Sequence, residues 1–164
     1  KPGNYEIVLG TPTSELIFNM AGGIRANNKL KAFIPGGSSA NILPADKVDV
    51  PYDYEAIAEA GSMLGSGALI VMDHTVNIVE SALRMSYFYM HESCGKCTPC
   101  RIGTQRALEL LRRIGTPEEK VGDRQLLDDL DDVMSSTSLC ALGGLAMMPV
   151  RSTMQKWPSS FRSD

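Results

Sequence analysis

The sequence E-S-C-G-K-C-T-P-C-R-I-G-T at residues 92–104 is the most informative part of this chain. It contains Cys94, Cys97 and Cys100 at three-residue intervals, and Cys140, the only other cysteine, follows after 39 intervening residues. One tight loop with three thiolates, together with a remote fourth, commonly holds a single [4Fe–4S] cubane. The spacing therefore predicts one cluster with these four cysteines as its ligands.

Two other uses of the cysteines stay open on spacing alone. A structural zinc site more often has two separated C-x2-C pairs, which this sequence lacks. Disulfides are possible because the count is even, although cysteines this close together bridge awkwardly and a chain of 164 residues does not need covalent staples. The two-cluster ferredoxin pattern would need a cysteine where Thr104 stands, so we expect one cluster and not two.

The composition excludes several classes of function. The net charge of −3 and the pI of about 5.4 offer no basic field for nucleic acid. No apolar run reaches the roughly 18 residues that a membrane span needs. Cysteines kept for an oxygen-sensitive cofactor indicate a reducing compartment, either the cytoplasm or the matrix-side arm of a membrane complex. The opening K-P-G-N-Y-E has no initiator methionine or signal peptide, so we expect part of a longer protein.

The first 74 residues combine predicted strands and short helices. A helix is expected to begin at Thr11-Pro12 and to end at Gly22-Gly23. The glycines at 61, 65 and 67 precede a strand, so they indicate turns and not a phosphate-binding loop. The predicted order suits a small β-grasp domain in an α+β chain. The other predicted elements are strands at Tyr5–Leu9, Lys31–Ile34 and Ala68–Met72, the last of them buried, and a helix at Glu55–Ala60.

Residues 75–164 show helical periodicity and predict a four-helix bundle that binds the cluster. The first helix carries an apolar stripe and leads into the cysteine loop. The second begins near Gly103, and Gly115-Thr116-Pro117 ends it. The third helix starts at Asp123. Gly143-Gly144 is expected to break the helical structure after Cys140, and a last helix follows at about Val150. The expected stripes are Val76, Val79, Leu83, Tyr87 and Met90 in the first helix, and Leu126, Leu127, Leu130, Val133 and Met134 in the third.

The motifs at 92–104 and 138–150, the latter S-L-C-A-L-G-G-L-A-M-M-P-V, closely resemble the family of NADH-binding flavoprotein subunits. That family includes the flavin subunit of respiratory complex I, the diaphorase subunit of NAD-reducing hydrogenases and the β subunit of NAD-dependent formate dehydrogenases. The resemblance extends through A-G-G-I (21–24), P-G-G-S-S (35–39) and G-S-M-L-G-S-G-A-L-I-V-M-D (61–73), which look like the family's soluble-ligand-binding (SLBB-like) β-grasp domain.

The resemblance implies a set of site residues. Cys94, Cys97, Cys100 and Cys140 would bind a [4Fe–4S] cluster. The backbone after the fourth cysteine would approach a flavin, which makes Ala141 and Leu142 candidates for that edge. The family's FMN and NADH sites lie mainly on a Rossmann-like domain with a G-R-G-G-A-G-F-type loop, and this sequence has no such loop.

We therefore expect an electron-transfer part of an NAD(H)-linked oxidoreductase complex that does not oxidise NADH alone. FMN and NAD(H) would be bound outside this sequence. The partners would be other iron–sulfur subunits. The run G-G-L-A-M-M-P-V-R-S after Cys140, with C-R-I-G at 100–103, favours the formate dehydrogenase branch and hence a molybdenum-containing partner. Complex I, an NAD-reducing hydrogenase and a zinc-stapled interaction module are the alternatives.

Overall fold

The computed structural model describes residues 1–162 and divides the chain into two compact units between Val76 and Asn77. The first unit contains a small sheet with short helices, and the second is helical. The chain is thus α+β, as predicted. Among the described residues, every helix falls short of the length and apolar character that a membrane crossing needs.

The first unit is built on a three-stranded antiparallel sheet. Its strands are β1 (Leu30–Ile34), β2 (Leu43–Pro44) and β3 (Ile70–Asp73), in the order β2-β1-β3. The central strand β1 confirms the strand predicted at Lys31–Ile34, and its last three residues are buried. Apolar side chains on a central strand are buried more completely than those on an edge strand, because neighbouring strands flank them on both sides.

Two helical segments cover the core of this unit. A π-helical segment spans Glu15–Met20, and Gly22 follows with a φ of +79°, as expected for the end of this helix. Helix α1 spans Tyr54–Glu59, where the Asp53 carboxylate accepts the Ala56 N–H at 2.7 Å and caps the helix. Leu16 of the first segment and Ile57 of α1 meet in one buried cluster, which also contains Tyr52 and Leu64 from the adjoining loops.

Of two further strand predictions in this unit, the first is wrong and the second is confirmed only in part. Tyr5–Leu9 forms no strand, since it pairs with no other strand within residues 1–162. Val8 is 81% exposed and Leu9 is 60% exposed. The strand predicted at Ala68–Met72 begins at Ile70, and only its Met72 is buried. It pairs with β1 alone, so it is an edge strand with exposed apolar residues.

The glycine turns are confirmed. Gly61, Gly65 and Gly67 all have positive φ, which L residues rarely adopt. At Gly36 the requirement is close approach, because a Cβ there would lie 2.2 Å from the Met63 carbonyl oxygen. The two glycine-containing segments therefore pass each other in direct backbone contact.

The second unit contains five α-helices and a short 3-10 helix (Pro158–Phe161) among the described residues, whereas the sequence predicted four helices. The α-helices are α2 (Ile78–Glu92), α3 (Thr98–Arg113), α4 (Asp123–Thr137), α5 (Ala141–Leu145) and α6 (Met148–Lys156). Helix α2 packs against α3 and α6, and the short α5 packs against α3 and α4. The start of α3 meets the end of α4, since Gly103 contacts Met134, and the end of α3 meets the start of α4. These two helices are therefore an antiparallel pair that returns the chain to the cysteine loop.

Two predicted apolar stripes differ from the buried faces. In α2 the buried residues are Ile78, Ala82, Ser86 and Tyr89, whereas Tyr87 is 49% exposed. The inward face is thus shifted by about one residue, because small side chains allow α3 and α6 to approach. In α4, Leu127 and Met134 are buried, but Leu126 and Val133 are exposed.

The predicted start of α3 and the predicted break at Gly143-Gly144 are also wrong. Helix α3 begins at Thr98 and not near Gly103. Pro99 is compatible with this start, because the N–H groups of a first helical turn have no acceptor within the helix and the missing proline N–H costs nothing there. Gly143 and Gly144 do not break the helical structure but lie inside α5. The next helix, α6, begins at Met148, slightly before the predicted Val150.

An ion pair joins α3 to α4 and makes stability depend on pH. Arg113 donates to the buried Asp123 carboxylate through Nε at 2.6 Å and Nη2 at 2.8 Å, and the Lys120 N–H donates at 2.9 Å. The Arg113 hydrogen bond, followed by that from Lys120, lowers the pKa of Asp123 to about 2. Since an unfolded aspartate has a pKa of about 3.9, this stabilisation is complete above about pH 4 and disappears as the pH falls to about 2.

We therefore expect Asp123→Asn to lower the thermal unfolding temperature of the helical unit at neutral pH. The parent's unfolding temperature should fall between about pH 4 and 2, and most of that fall should be absent from Asp123→Asn. Circular dichroism melts at several pH values measure this. The control is Asp129→Asn, which removes the same charge from an exposed position on α4. An Asp123→Asn protein with the parent's pH dependence would contradict the prediction.

Candidate metal centre

Three of the four cysteines lie where α2 ends and α3 begins. Cys94 is exposed in the connecting loop, and Cys97 is the N-cap residue of α3. Cys100 lies in the first turn of that helix and is only 5% exposed. The early start of α3 therefore fixes Cys100 on a helix, while Cys94 stays on the loop.

Local hydrogen bonds hold this loop in a tight curl. Gly95 has a φ of +74°, and its carbonyl accepts the Arg101 guanidinium at 2.6 Å. Ser93 Oγ and Cys100 Sγ are hydrogen-bonded at 3.2 Å, and the Gly95 N–H donates to Ser93 Oγ at 3.4 Å. The curl thus brings the loop's polar groups to the most buried thiol.

The distant Cys140 reaches this loop through its preceding residue. Cys140 is exposed and is the N-cap residue of α5. Hydrogen bonding from the backbone of Leu139, followed by that from the backbone of Cys100, lowers the pKa of the Cys97 thiol. The α3–α4 pair therefore returns the chain to the cysteine loop, where a Cβ on Gly143 of α5 would lie 2.8 Å from Cys100 Cβ.

The electrostatics of Cys100 show that the four sulfurs share one region. Burial raises the pKa of the Cys100 thiol, and the Ser93 hydrogen bond opposes this rise. Negative charge on the other three cysteines, Cys97, Cys140 and Cys94, raises this pKa further. The mutual repulsion of four such thiolates would be relieved by iron, which binds cysteine as thiolate.

Two residues at this site were missed from the sequence, Ser138 and Gly143. A Cβ on Gly143 would lie 2.4 Å from Ser138 Oγ and 2.8 Å from Cys100 Cβ, so only glycine allows α5 to approach α3 this closely. Ser138 Oγ is the one buried side-chain nitrogen or oxygen of residues 1–162 without a hydrogen-bond partner. The only signal for Ser138 in the sequence was its position two residues before a predicted ligand.

The residues present suit an iron–sulfur cluster. Four thiols lie in one region, and a buried hydroxyl beside Cys100 has an unused donor. Over residues 1–162, no group of three or more His, Cys, Asp or Glu side chains is arranged to hold a single metal ion. A cubane does not need such convergence, because each thiolate binds a different iron.

The predicted flavin-edge residues, Ala141 and Leu142, are the first two residues of α5. Ala141 is exposed and Leu142 is half-buried. Both directly follow Cys140, so they lie at the cysteine site. Their role toward a flavin stays a prediction.

The first unit has a separate open cavity of about 910 Å³. Tyr52 and Asp73 belong to its lining, but their polar atoms already have partners within the unit. The Tyr52 hydroxyl lies 2.5 Å from the Pro35 carbonyl oxygen, and burial raises its pKa to about 12. The Asp73 carboxylate accepts from Asn28 at 2.8 Å and from Thr75. Neither Tyr52 nor Asp73 is therefore free to bind a ligand in this cavity.

Comparisons with known proteins agree with this site. Residues 80–164 match the family model described as the NADH-ubiquinone oxidoreductase-F iron-sulfur binding region. The F subunit of the NADH-quinone oxidoreductase of Streptomyces coelicolor is 44% identical over 154 residues, which cover 94% of this chain and 34% of that protein. The corresponding protein of Mycobacterium tuberculosis (strain H37Rv) is 43% identical over 161 residues, 98% of this chain and 36% of that protein.

A solved structure shares the fold. The NAD+-reducing [NiFe]-hydrogenase in its H2-reduced state superposes with a TM-score of 0.82 at 26% identity, covering 98% of this chain and 27% of that one. The chain spans about a third of the length of the two curated relatives, from Streptomyces and Mycobacterium. These matches confirm the resemblance first seen in the cysteine motifs. The chain belongs to the NADH-ubiquinone oxidoreductase-F iron–sulfur binding region family.

Proposed function

We propose that this chain binds one [4Fe–4S] cluster through Cys94, Cys97, Cys100 and Cys140 and serves as an electron relay. The observation that carries this proposal is the link between the two cysteine segments. Helix α5, which has Cys140 as its N-cap, packs so closely on α3 that a Cβ on Gly143 would lie 2.8 Å from Cys100 Cβ. In agreement, negative charge on the other three cysteines raises the pKa of Cys100. Four thiolates from a loop and a distant segment are the ligand set of a cubane.

The protein's own residues prepare this site. The lowered pKa of Cys97 favours the thiolate, the form that binds iron. The first turn of α3 fixes Cys100 in a buried position, and the backbone of Leu139 supplies hydrogen bonding to a ligand sulfur. When bound, a [4Fe–4S] cluster supplies one-electron transfer at a potential set by burial and hydrogen bonding.

We further infer that the relay works within an NADH-linked multisubunit oxidoreductase. The relatives named above, from quinone-reducing and hydrogen-oxidising NAD(H) complexes, support this setting. FMN and NAD(H) would be bound outside this sequence, with Ala141 and Leu142 at the flavin edge and other iron–sulfur subunits as partners. The first unit would be a β-grasp connector. The assembly would lie in the cytoplasm or on the matrix side of a membrane.

The branch of the family is a separate part of the proposal. The Streptomyces and Mycobacterium relatives favour the NADH–quinone oxidoreductase type, and neither they nor the hydrogenase support the formate dehydrogenase preference drawn from the sequence. Purification of the native complex with subunit and metal identification distinguishes the branches. A membrane arm would indicate the quinone-reducing type, nickel a hydrogenase, and molybdenum a formate dehydrogenase.

Iron and sulfide analysis after anaerobic reconstitution tests the cluster itself. We expect about four irons and four sulfides per chain, and a paramagnetic signal on one-electron reduction. One tightly bound zinc in a colourless protein would instead support a structural interaction module. Far fewer than about four irons per chain would reject the cubane.

A further inference from the structure

Ser138 carries the next inference because its hydroxyl is buried without a partner. Its Oγ is the one side-chain nitrogen or oxygen in this state among residues 1–162. A buried hydroxyl without a hydrogen bond is costly, and native proteins rarely leave one unless a ligand or water satisfies it. The unused donor therefore indicates a group that binds beside it.

The position of this hydroxyl identifies the kind of group. Ser138 Oγ and Cys100 Cβ both lie within 2.8 Å of the point where a Gly143 Cβ would stand, so they are close neighbours. Ser138 also stands two residues before Cys140, at the C-cap of α4, where its N–H donates to the Met134 carbonyl at 3.1 Å. The helix end thus holds the backbone of Ser138, while its hydroxyl stays free beside the thiols.

The neighbouring serines behave differently. Ser136 Oγ donates to the Asp132 carbonyl of its own helix at 2.5 Å and is exposed. Ser93 Oγ already has Cys100 Sγ as a partner at 3.2 Å. Of these three hydroxyls, only that of Ser138 is buried beside the cysteines without an acceptor.

We propose that Ser138 donates an O–H···S hydrogen bond to a sulfur of the cysteine-bound cluster and raises its reduction potential. This rests on the proposed function, since it requires the four cysteines to hold the cluster. Sulfur carries more negative charge in the reduced state, so a fixed donor stabilises that state more than the oxidised one. On reduction one electron is gained by the cluster, and the hydroxyl proton stays on Ser138 Oγ.

The test compares reduction midpoints of the anaerobically reconstituted chain by EPR-monitored titration. We expect Ser138→Ala to retain about four irons per chain. At a given potential its oxidised-to-reduced ratio should be about tenfold higher than the parent's, which corresponds to a reduction midpoint about 59 mV lower. Ser136→Ala is the matched control and should leave the midpoint unchanged. Electron–nuclear double resonance in H2O and D2O should show one fewer exchangeable proton coupled to the reduced cluster in Ser138→Ala.

A second pair of variants covers the case in which Ser138→Ala does not hold iron. Threonine and valine have nearly the same shape and differ in the hydroxyl, so Ser138→Thr should have the higher midpoint and keep the exchangeable proton that Ser138→Val lacks. Equal midpoints and identical proton couplings, in either comparison, would overturn the role of Ser138. If the unmodified chain itself lacks about four irons, the proposed function fails, whatever Ser138 does.

Discussion

Cys100→Ser is expected to reduce the bound iron from about four per chain to well below one. Cys100 is the most buried of the four cysteines, and no solvent ligand can readily reach its place. A serine hydroxyl does not supply the thiolate that the irons require. Iron and sulfide analysis with the visible absorption spectrum measures this loss.

The fold provides the control for this variant. Serine is close to cysteine in size, so the helical unit of Cys100→Ser should keep its circular dichroism spectrum and much of its thermal stability in the metal-free state. Cys94→Ser, at an exposed position, offers a comparison in which packing is not involved. Retention of about four irons by Cys100→Ser would contradict its assignment as a ligand.

Gly143→Ala is also expected to remove the cluster, although Gly143 itself supplies no ligand. Its Cβ would lie 2.4 Å from Ser138 Oγ and 2.8 Å from Cys100 Cβ, below the separation that real Cβ atoms show. Relief of this overlap must move α5, and Cys140 at its N-cap, away from Cys100. We expect most of the iron to be lost and the helical unit to be destabilised by about 1–3 kcal/mol.

Gly144→Ala is the matched control for this prediction. It changes the adjacent residue of the same helix in the same way, but its Cβ would meet nothing closer than the Ser135 carbonyl oxygen at 3.8 Å. Alanine also favours a helix over glycine, so this variant should bind iron normally and be at least as stable. Equal iron contents in the two variants would show that close approach at Gly143 is not required.

The sequence alone predicted the features that depend on local spacing. The intervals between the cysteines indicated the cluster, and helical periodicity located α2, α3, α4 and α6. The buried face of α2 was not predictable in this way, because Ile78 and Val79 start two adjacent apolar stripes. Only the packing of α3 and α6 decides that Ile78 faces inward.

The contacts at Gly143 and Ser138 lay outside the reach of local patterns. A double glycine most often indicates a turn, and nothing near Gly143 in the sequence shows that Cys100 will be its neighbour. Nor does a serine at a helix end reveal that its hydroxyl will be buried without an acceptor. Both properties arise from residues far apart in the chain that the α3–α4 pair brings together.

That antiparallel pair also changes the entropy of metal binding. In a disordered chain, holding Cys140 beside Cys100 would close a loop of 39 intervening residues at a cost of about 3 kcal/mol in chain entropy. Here the packing of α3 against α4 and the Arg113–Asp123 ion pair close that loop in the folded protein. The thiolate–iron bonds therefore need not offset this cost, and their full strength remains available to retain the cluster.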